Sequence, residues 1–241
     1  MISTSFFMKK PLVVFAVAVF VCVLASCNTM LVKHRYTLSP EYATANLSDR
    51  KFVVLFPADE RIVINNKNDA VNAFGGANVK PESRIKKYYL PLFFGELKSL
   101  VSGDSFFLAD QYRPGLFPDS IAMKEVTLQT GDSGAITQYA LPEKASLQAR
   151  GLDSAVFIIV ERLEFKRNNF HIDYYWDDKS RQSANLEVGA LILIWDYMND
   201  RPIFYGPLSD KVEFTFSMQR KHWEESARLL ARKIVRTVKC L

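Results

Sequence analysis

The chain is 241 residues long and carries 31 Lys and Arg against 26 Asp and Glu, a formal net charge of +5. Loss of Lys9 and Lys10 with an N-terminal leader lowers this to +3, too small a surplus to imply nucleic acid, and no nucleic-acid partner is expected. The leader comes first in chain order: Lys9 and Lys10 precede an uncharged apolar run from Pro11 to Ala25, then Ser26 and Cys27. A basic start, an apolar core and a small-residue exit make a secretory signal, and about 15 apolar residues fall short of the roughly 20 that span a bilayer.

Leu24-Ala25-Ser26-Cys27 resembles the bacterial lipobox, a Leu, two small residues and a Cys at the end of the apolar core. The resemblance implies that residues 1–26 are removed, that the Cys27 thiol receives a diacylglycerol, and that its new amine is acylated, palmitate being a common chain. Several acyl chains on one residue hold stably where a single chain binds only marginally. Asn28 stands where an Asp would imply retention at the inner membrane, so the expected location is the outer membrane, facing the periplasm. With Cys22 lost and Cys27 lipidated, Cys240 has no partner in the chain, which excludes an intramolecular disulfide.

Residues 27–49 show no sustained apolar period and are broken by Ser, Thr, Asn and Pro40, the pattern of a lipidated tether. Residues 50–241 are expected to form a single domain. It opens with a buried strand, Lys51 to Phe56, closed by Pro57. Asp59 to Val79, with Asn65-Asn66 and Gly75-Gly76, reads as a loop. Pro81 starts a helix in which Ile85, Tyr89, Leu92, Phe93, Leu97 and Leu100 share a face; a kink is expected near Pro91 and an end at Gly103. Ser105 to Ala109 is a short strand, Asp110 to Ala140 a long loop with one strand candidate at Val126 to Leu128, and Pro142 to Arg150 a short helix. Ala155 to Val160 is the strongest strand. Leu163 and Phe165, then Phe170 to Trp176, alternate apolar with polar as antiparallel strands with one dry and one wet face. Strands from Ala184 to Tyr197 and from Ile203 to Phe216 follow, joined by the tight turn Met198-Asn199-Asp200-Arg201-Pro202. Trp223, Ala227, Leu230, Ala231, Ile234 and Val238 mark an amphipathic C-terminal helix. The expected class is α+β, a mixed sheet ending in an antiparallel meander, with helices on one face.

Two segments, Leu152 to Ile159 and the strand, Trp-Asp, turn, strand, Tyr-Gly series from Leu191 to Gly206, resemble a family of periplasmic lipoprotein domains. It is shared by the curli secretion channel, transporter-auxiliary lipoproteins and the N-terminal domain of the Tol propeller protein. The resemblance, from Lys51 to the end, implies an α+β sandwich and a role in envelope assembly, transport or scaffolding without chemistry. The long loop between Asp110 and Ala140 departs from the shorter members.

Few residues invite a chemical reading. Gly131-Asp132-Ser133-Gly134 looks like a serine-protease nucleophile segment, but the only upstream histidine is His34 in the tether, and Ala135 replaces the motif's next glycine, so the segment reads as a turn. His171, Asp173, Asp177 and Asp178 suit a divalent ion in type. His171 and Asp177 would lie roughly 20 Å apart along a strand, so no metal site is assigned. Alternation turns Tyr174 and Trp176 inward and leaves Tyr175 as a candidate partner contact. Arg228, Arg232 and Arg236, at four-residue spacing on the last helix, are the other candidates, facing anionic headgroups, peptidoglycan or a partner.

No glycine-rich phosphate loop, paired-cysteine zinc spacing or nucleophile elbow is present, so no cofactor and no catalytic residue are assigned. The expected function is that of a non-enzymatic envelope lipoprotein acting as an interaction or assembly module, bound to the membrane through its lipid and to an envelope protein partner. The alternative is an envelope hydrolase or glycan-binding enzyme whose polar residues converge only in three dimensions. An enzyme predicts one deep pocket with convergent ionisable groups; an adaptor predicts a shallow apolar patch rimmed by polar residues. A third possibility, a subunit of an oligomeric ring, predicts sheet edges left uncovered by their own chain.

Overall fold

The computed structural model describes residues 36–75, 80–101, 105–110, 123–130, 135–172, 181–215 and 217–241. Its organising strand is β2 (Lys51–Phe56), whose run of Phe, Val and Leu leaves only Lys51 exposed. Phe52, Val54 and Phe56 enter one core and Val53 and Leu55 another on the opposite face, so β2 is a central strand covered on both sides. It lies parallel to β4 (Ser105–Asp110) and to β7 (Val156–Ile172). From β7 the sheet continues as an antiparallel meander through β8 (Arg181–Asp196) and β9 (Arg201–Thr215) to the short edge strand β1 (Thr37–Leu38), giving the order β1-β9-β8-β7-β2-β4.

The 17-residue β7 is longer than the sequence predicts. Two short strands share one of its edges end to end: β2 pairs Phe52–Leu55 with Val156–Ile159, and β3 (Ile62–Ile64) pairs with Leu163–Phe165. A 3-10 turn, Asp59–Arg61, joins them. Opposite this step β7 carries a bulge at Glu161, between the pairs Val160–Ile192 and Arg162–Leu191. The bulge inserts one residue and resets which side chains face the core. Val156, Ile158 and Val160 face it before the bulge, Leu163 and Phe165 after it.

Among the described residues three helices cover that face. α1 (Lys67–Phe74) contributes Ala70; α2 (Pro81–Leu100) contributes Ile85, Tyr89, Phe93 and Leu97; α4 (Arg220–Thr237) contributes Trp223, Ala227, Leu230, Ala231 and Ile234. The four-residue spacing on α2 is what aligns these side chains on one stripe. α2 and α4 run parallel, with the Tyr89 hydroxyl donating to the Ser226 carbonyl (3.3 Å) and Arg232 reaching Glu96 (2.7 Å) farther along.

The opposite face is covered by the antiparallel hairpin of β5 (Met123–Thr130) and β6 (Ala135–Pro142) and by the short α3 (Lys144–Gln148). Tyr139, Leu141 and Leu147 close over Val53, Leu55, Phe157, Ile159, Leu193 and Trp195. The fold is thus α+β, with a mixed sheet ending in an antiparallel meander, as the sequence predicts.

Four expectations are corrected. The stretch read as a loop from Asp59 to Val79 holds the 3-10 turn, β3 and α1. The long insertion supplies β5 and β6 rather than a single strand candidate. α3 lies on the face opposite the other helices, where Leu147 packs into the core beneath the hairpin. The segment from Tyr36 to Asp49 belongs to the folded unit, not to a tether: β1 (Thr37–Leu38) pairs with Tyr205 and Phe204, and Tyr42 and Leu47 are buried.

Candidate functional site

The β8–β9 turn is anchored by polar contacts from several elements. Asp196, fully buried at the end of β8, accepts the backbone N–H of Met198 (2.9 Å) and of Asn199 (3.4 Å) on one carboxylate oxygen. This is the local turn that Asp forms with the backbone two residues on. The other oxygen accepts the Tyr42 hydroxyl (2.8 Å) and the Asn199 side-chain amide (2.7 Å), and the Arg50 guanidinium stands 3.8 Å away. A buried carboxylate without such donors would be expensive to hold. Burial and the bond to Asp196 push the Tyr42 phenol above its ordinary range.

Asp200, in the left-handed region at φ 50°, accepts Lys124 Nζ (2.6 Å) and the Trp195 indole N–H (3.3 Å). Asp tolerates that backbone conformation better than most residues. The Lys124 bond is the main reason its carboxyl sits below the usual range. Lys124 also lies over the Trp195 ring at 5.1 Å, and Lys144 Nζ donates to the Met198 carbonyl (3.3 Å). Sheet, hairpin and α3 therefore fix one turn from three sides.

That rigid turn presents an apolar side chain to solvent. Met198 is 56% exposed and Met123, at the base of the hairpin, 46%. Tyr197 bonds to the carbonyl of Pro142, which pairs with Met123, so both methionines lie at the same end of the domain. Leu100, 38% exposed at the end of α2, also falls there, since the chain next enters β4 opposite Lys51. Lys51, Lys98, Lys144, Arg150 and Arg201 are exposed around this end. These apolar side chains share one end of the domain with exposed basic groups, of which Arg201 is paired with Glu41 (2.7 Å); Ile136, 69% exposed, lies toward the other end of the hairpin.

A second polar cluster lies at the β7 bulge. Glu161, 5% exposed, pairs with Arg61 of the 3-10 turn. Burial pushes its carboxyl above the ordinary range, while Arg61 and the Ala140 backbone amide pull it back. The neighbouring Tyr139 hydroxyl is buried without a hydrogen-bond partner among the described residues, and burial pushes its phenol up strongly. A cavity of about 490 Å³ lies nearby, between the 3-10 turn, β3 and the starts of α1 and α2. Ile62, Val63, Ile64 and Pro81 line it with Asp59, Glu60, Lys67, Lys80 and Glu82. Lys67 is paired with Glu82 (2.9 Å) and Asp59 accepts the Ser83 hydroxyl, so several of its charged groups are already engaged.

Of the residues singled out in the sequence, Arg228 and Arg232 are held by acidic neighbours. Arg228 meets Glu225 (3.5 Å), and Arg232 bridges Glu225 (3.8 Å) and Glu96 of α2 (2.7 Å). Arg236, one turn on, is exposed. Cys27, Tyr175, Asp173, Asp177, Asp178, the His171 side chain and Gly131 to Gly134 lie outside the described residues. Among the described residues no group of three or more His, Cys, Asp or Glu side chains is placed to hold a metal ion, and no helix is long and apolar enough to cross a membrane. Asp196 figures in the sequence only as the Asp of the Trp-Asp pair, not as a site residue, and Glu161 not at all. The signal for the first was an Asp opening the Asn-Asp turn; for the second, one acid inside the apolar run from Ala155 to Leu163.

No family model matches the chain, and no curated protein matches it. Among solved structures it is similar to a neuraminyllactose-binding hemagglutinin homolog from Helicobacter pylori, with a TM-score of 0.40 and 11% identity over 83% of this chain and 88% of that one. It is also similar to the PelC dodecamer from Paraburkholderia phytofirmans in two crystal forms, with TM-scores of 0.34 and 0.35 and 11% identity over 83% of this chain and 94% of that one. Likenesses this distant assign neither family nor activity.

Proposed function

We propose that this is a lipid-anchored envelope protein, held at the outer membrane through Cys27, whose domain works without chemistry as an interaction or assembly module. The observation that carries the reading is the end of the domain bearing Met198, Met123 and Leu100, raised on a turn locked by Asp196 and rimmed by lysines and arginines. Large apolar side chains left exposed at one end of a rigid domain suit a contact site, and polar groups surround such sites. The partner is an envelope protein that brings apolar side chains for the methionines and acidic groups for the rim. The resemblance to periplasmic assembly and transport lipoproteins points the same way.

The second reading, an envelope hydrolase or glycan-binding enzyme, draws on the raised carboxyl of Glu161 beside Arg61 and Tyr139. It is the weaker, because Glu161 and Tyr139 are both sealed beneath the hairpin rather than opening on a substrate cleft. The test is a photoreactive residue at Met198 or Met123, against a control on the polar sheet face at Glu164. A discrete envelope protein captured from the methionine positions alone supports the reading. Equal capture from all three, or labelling of lipid only, overturns it.

A further inference from the structure

β1 covers only the start of the outer edge of β9: Thr37 pairs with Tyr205 and Leu38 with Phe204, and among the described residues no strand lies along that edge, opposite β8, from Gly206 to Thr215. Such an edge is a template for another strand, and proteins normally disarm it with prolines and charges. Both devices are present, and together they leave one good self-pairing. The Ser39 N–H donates to the Ile203 carbonyl (2.9 Å), so odd-numbered β9 residues turn their backbone groups outward from there on. Pro207, which has no N–H to offer, falls on that same outward phase, where an edge strand tolerates it. The outward groups of Ser209, Lys211, Glu213 and Thr215 remain.

We propose that this stretch pairs antiparallel with the same stretch of a second copy, about a two-fold axis through Val212. In that register Lys211 lies opposite Glu213 of the other copy and Glu213 opposite its Lys211, each pair exchanging backbone hydrogen bonds, with Ser209 opposite Thr215 beyond them. Lys211 and Glu213 are exposed on the same face and already attract one another within the strand at 3.4 Å. Pairing therefore alternates the four charges. The neighbouring registers are disfavoured by the same residues: an axis through Lys211 or Glu213 sets like charges opposite each other, and an axis through Asp210 opposes two aspartates and brings in Pro207. Charge complementarity and backbone phase select a second copy as the occupant. This inference does not depend on the partner patch or on the lipid.

The test uses the full-length protein, extracted in detergent, with its association followed by sedimentation. Wild type is expected to dimerise, K211E and E213K each to weaken the dimer at least about tenfold, and the double swap K211E/E213K to restore it. In membranes, Val212→Cys is expected to cross-link to itself on mild oxidation, while Ser209→Cys, several residues off the axis, does not. A monomeric wild type, a dimer indifferent to both single reversals, or cross-linking at Ser209→Cys but not Val212→Cys overturns the proposal. So does slow amide exchange from Ser209 to Thr215 in a monomer, which would mean that another part of the chain covers the edge.

Discussion

Arg61 meets Glu161 at the one point where β7 loses register with β8. On the other edge of β7, the same step is where β2 gives way to β3. The bulge turns Glu161 out of the apolar alternation, and the 3-10 turn brings the only arginine between the two strands against it. A buried acid is thus tied to a topological irregularity rather than to a cleft.

Glu161 sets a pH dependence. Burial raises its folded-state pKa above the ordinary 4.5, so between the two values the native state holds a proton that the unfolded state has released. Stability from this group is present at acid pH and falls as pH rises through that window. Glu161→Gln removes the effect. The stability of Glu161→Gln relative to wild type should therefore increase as pH climbs above 4.5, measured by urea unfolding at several pH values. A difference that stays flat or declines would refute the assignment.

Asp196→Ala should be the most costly polar substitution. It strands the buried Tyr42 hydroxyl and two backbone N–H groups of the turn. The expected loss is roughly 3 kcal/mol, against about 1 kcal/mol for Tyr42→Phe, which removes the bond to Asp196 and a long one from Asn199 (3.5 Å) and keeps the ring. Denaturant midpoints decide it: equal losses would mean that the aspartate does not organise the turn.

The sequence made some of this legible and hid the rest for physical reasons. β2 was readable as an unbroken apolar run, α4 from its single helical period, and β8 and β9 from long apolar-rich stretches meeting at a polar turn, although their ladder shifts register beside that turn. Trp223, Ala227, Leu230, Ala231 and Ile234 all reach the core they were expected to face. β7 was broken into pieces because Val160 and Leu163 face the same core three residues apart, a phase change that mimics the end of a strand. Tyr42 and Leu47 gave no periodic signal; what holds Tyr42 is Asp196, far downstream. Of the candidate contacts, the spacing of Arg228 and Arg232 was visible, but Glu96, which occupies Arg232, sits on another helix.

Trp223 joins α4 to the rest of the core through Phe165 (4.9 Å) and Phe74 (5.6 Å). Trp223→Ala should cost about 3–5 kcal/mol, the range for removing a buried aromatic side chain. Thermal melting would show it as a large drop. A shift within a degree or two would mean that this helix contributes little to the fold.

The α4 arginines should separate. A double-mutant cycle on Arg232 and Glu96 should yield a coupling of about 0.5–1 kcal/mol, whereas Arg236→Ala should leave stability within about 0.5 kcal/mol. If Arg236→Ala destabilises as much as Arg232→Ala, then Arg236 holds the fold and is not available to a partner.

The most direct test of the anchored-module reading is envelope fractionation of wild type and Cys27→Ala, each with the photoreactive residue at Met198. The expected result is wild type in the outer membrane with its partner cross-linked, and Cys27→Ala released to the soluble periplasmic fraction with the cross-link lost. If Cys27→Ala stays in the outer membrane and captures the same partner, Cys27 is not the anchor and the reading fails.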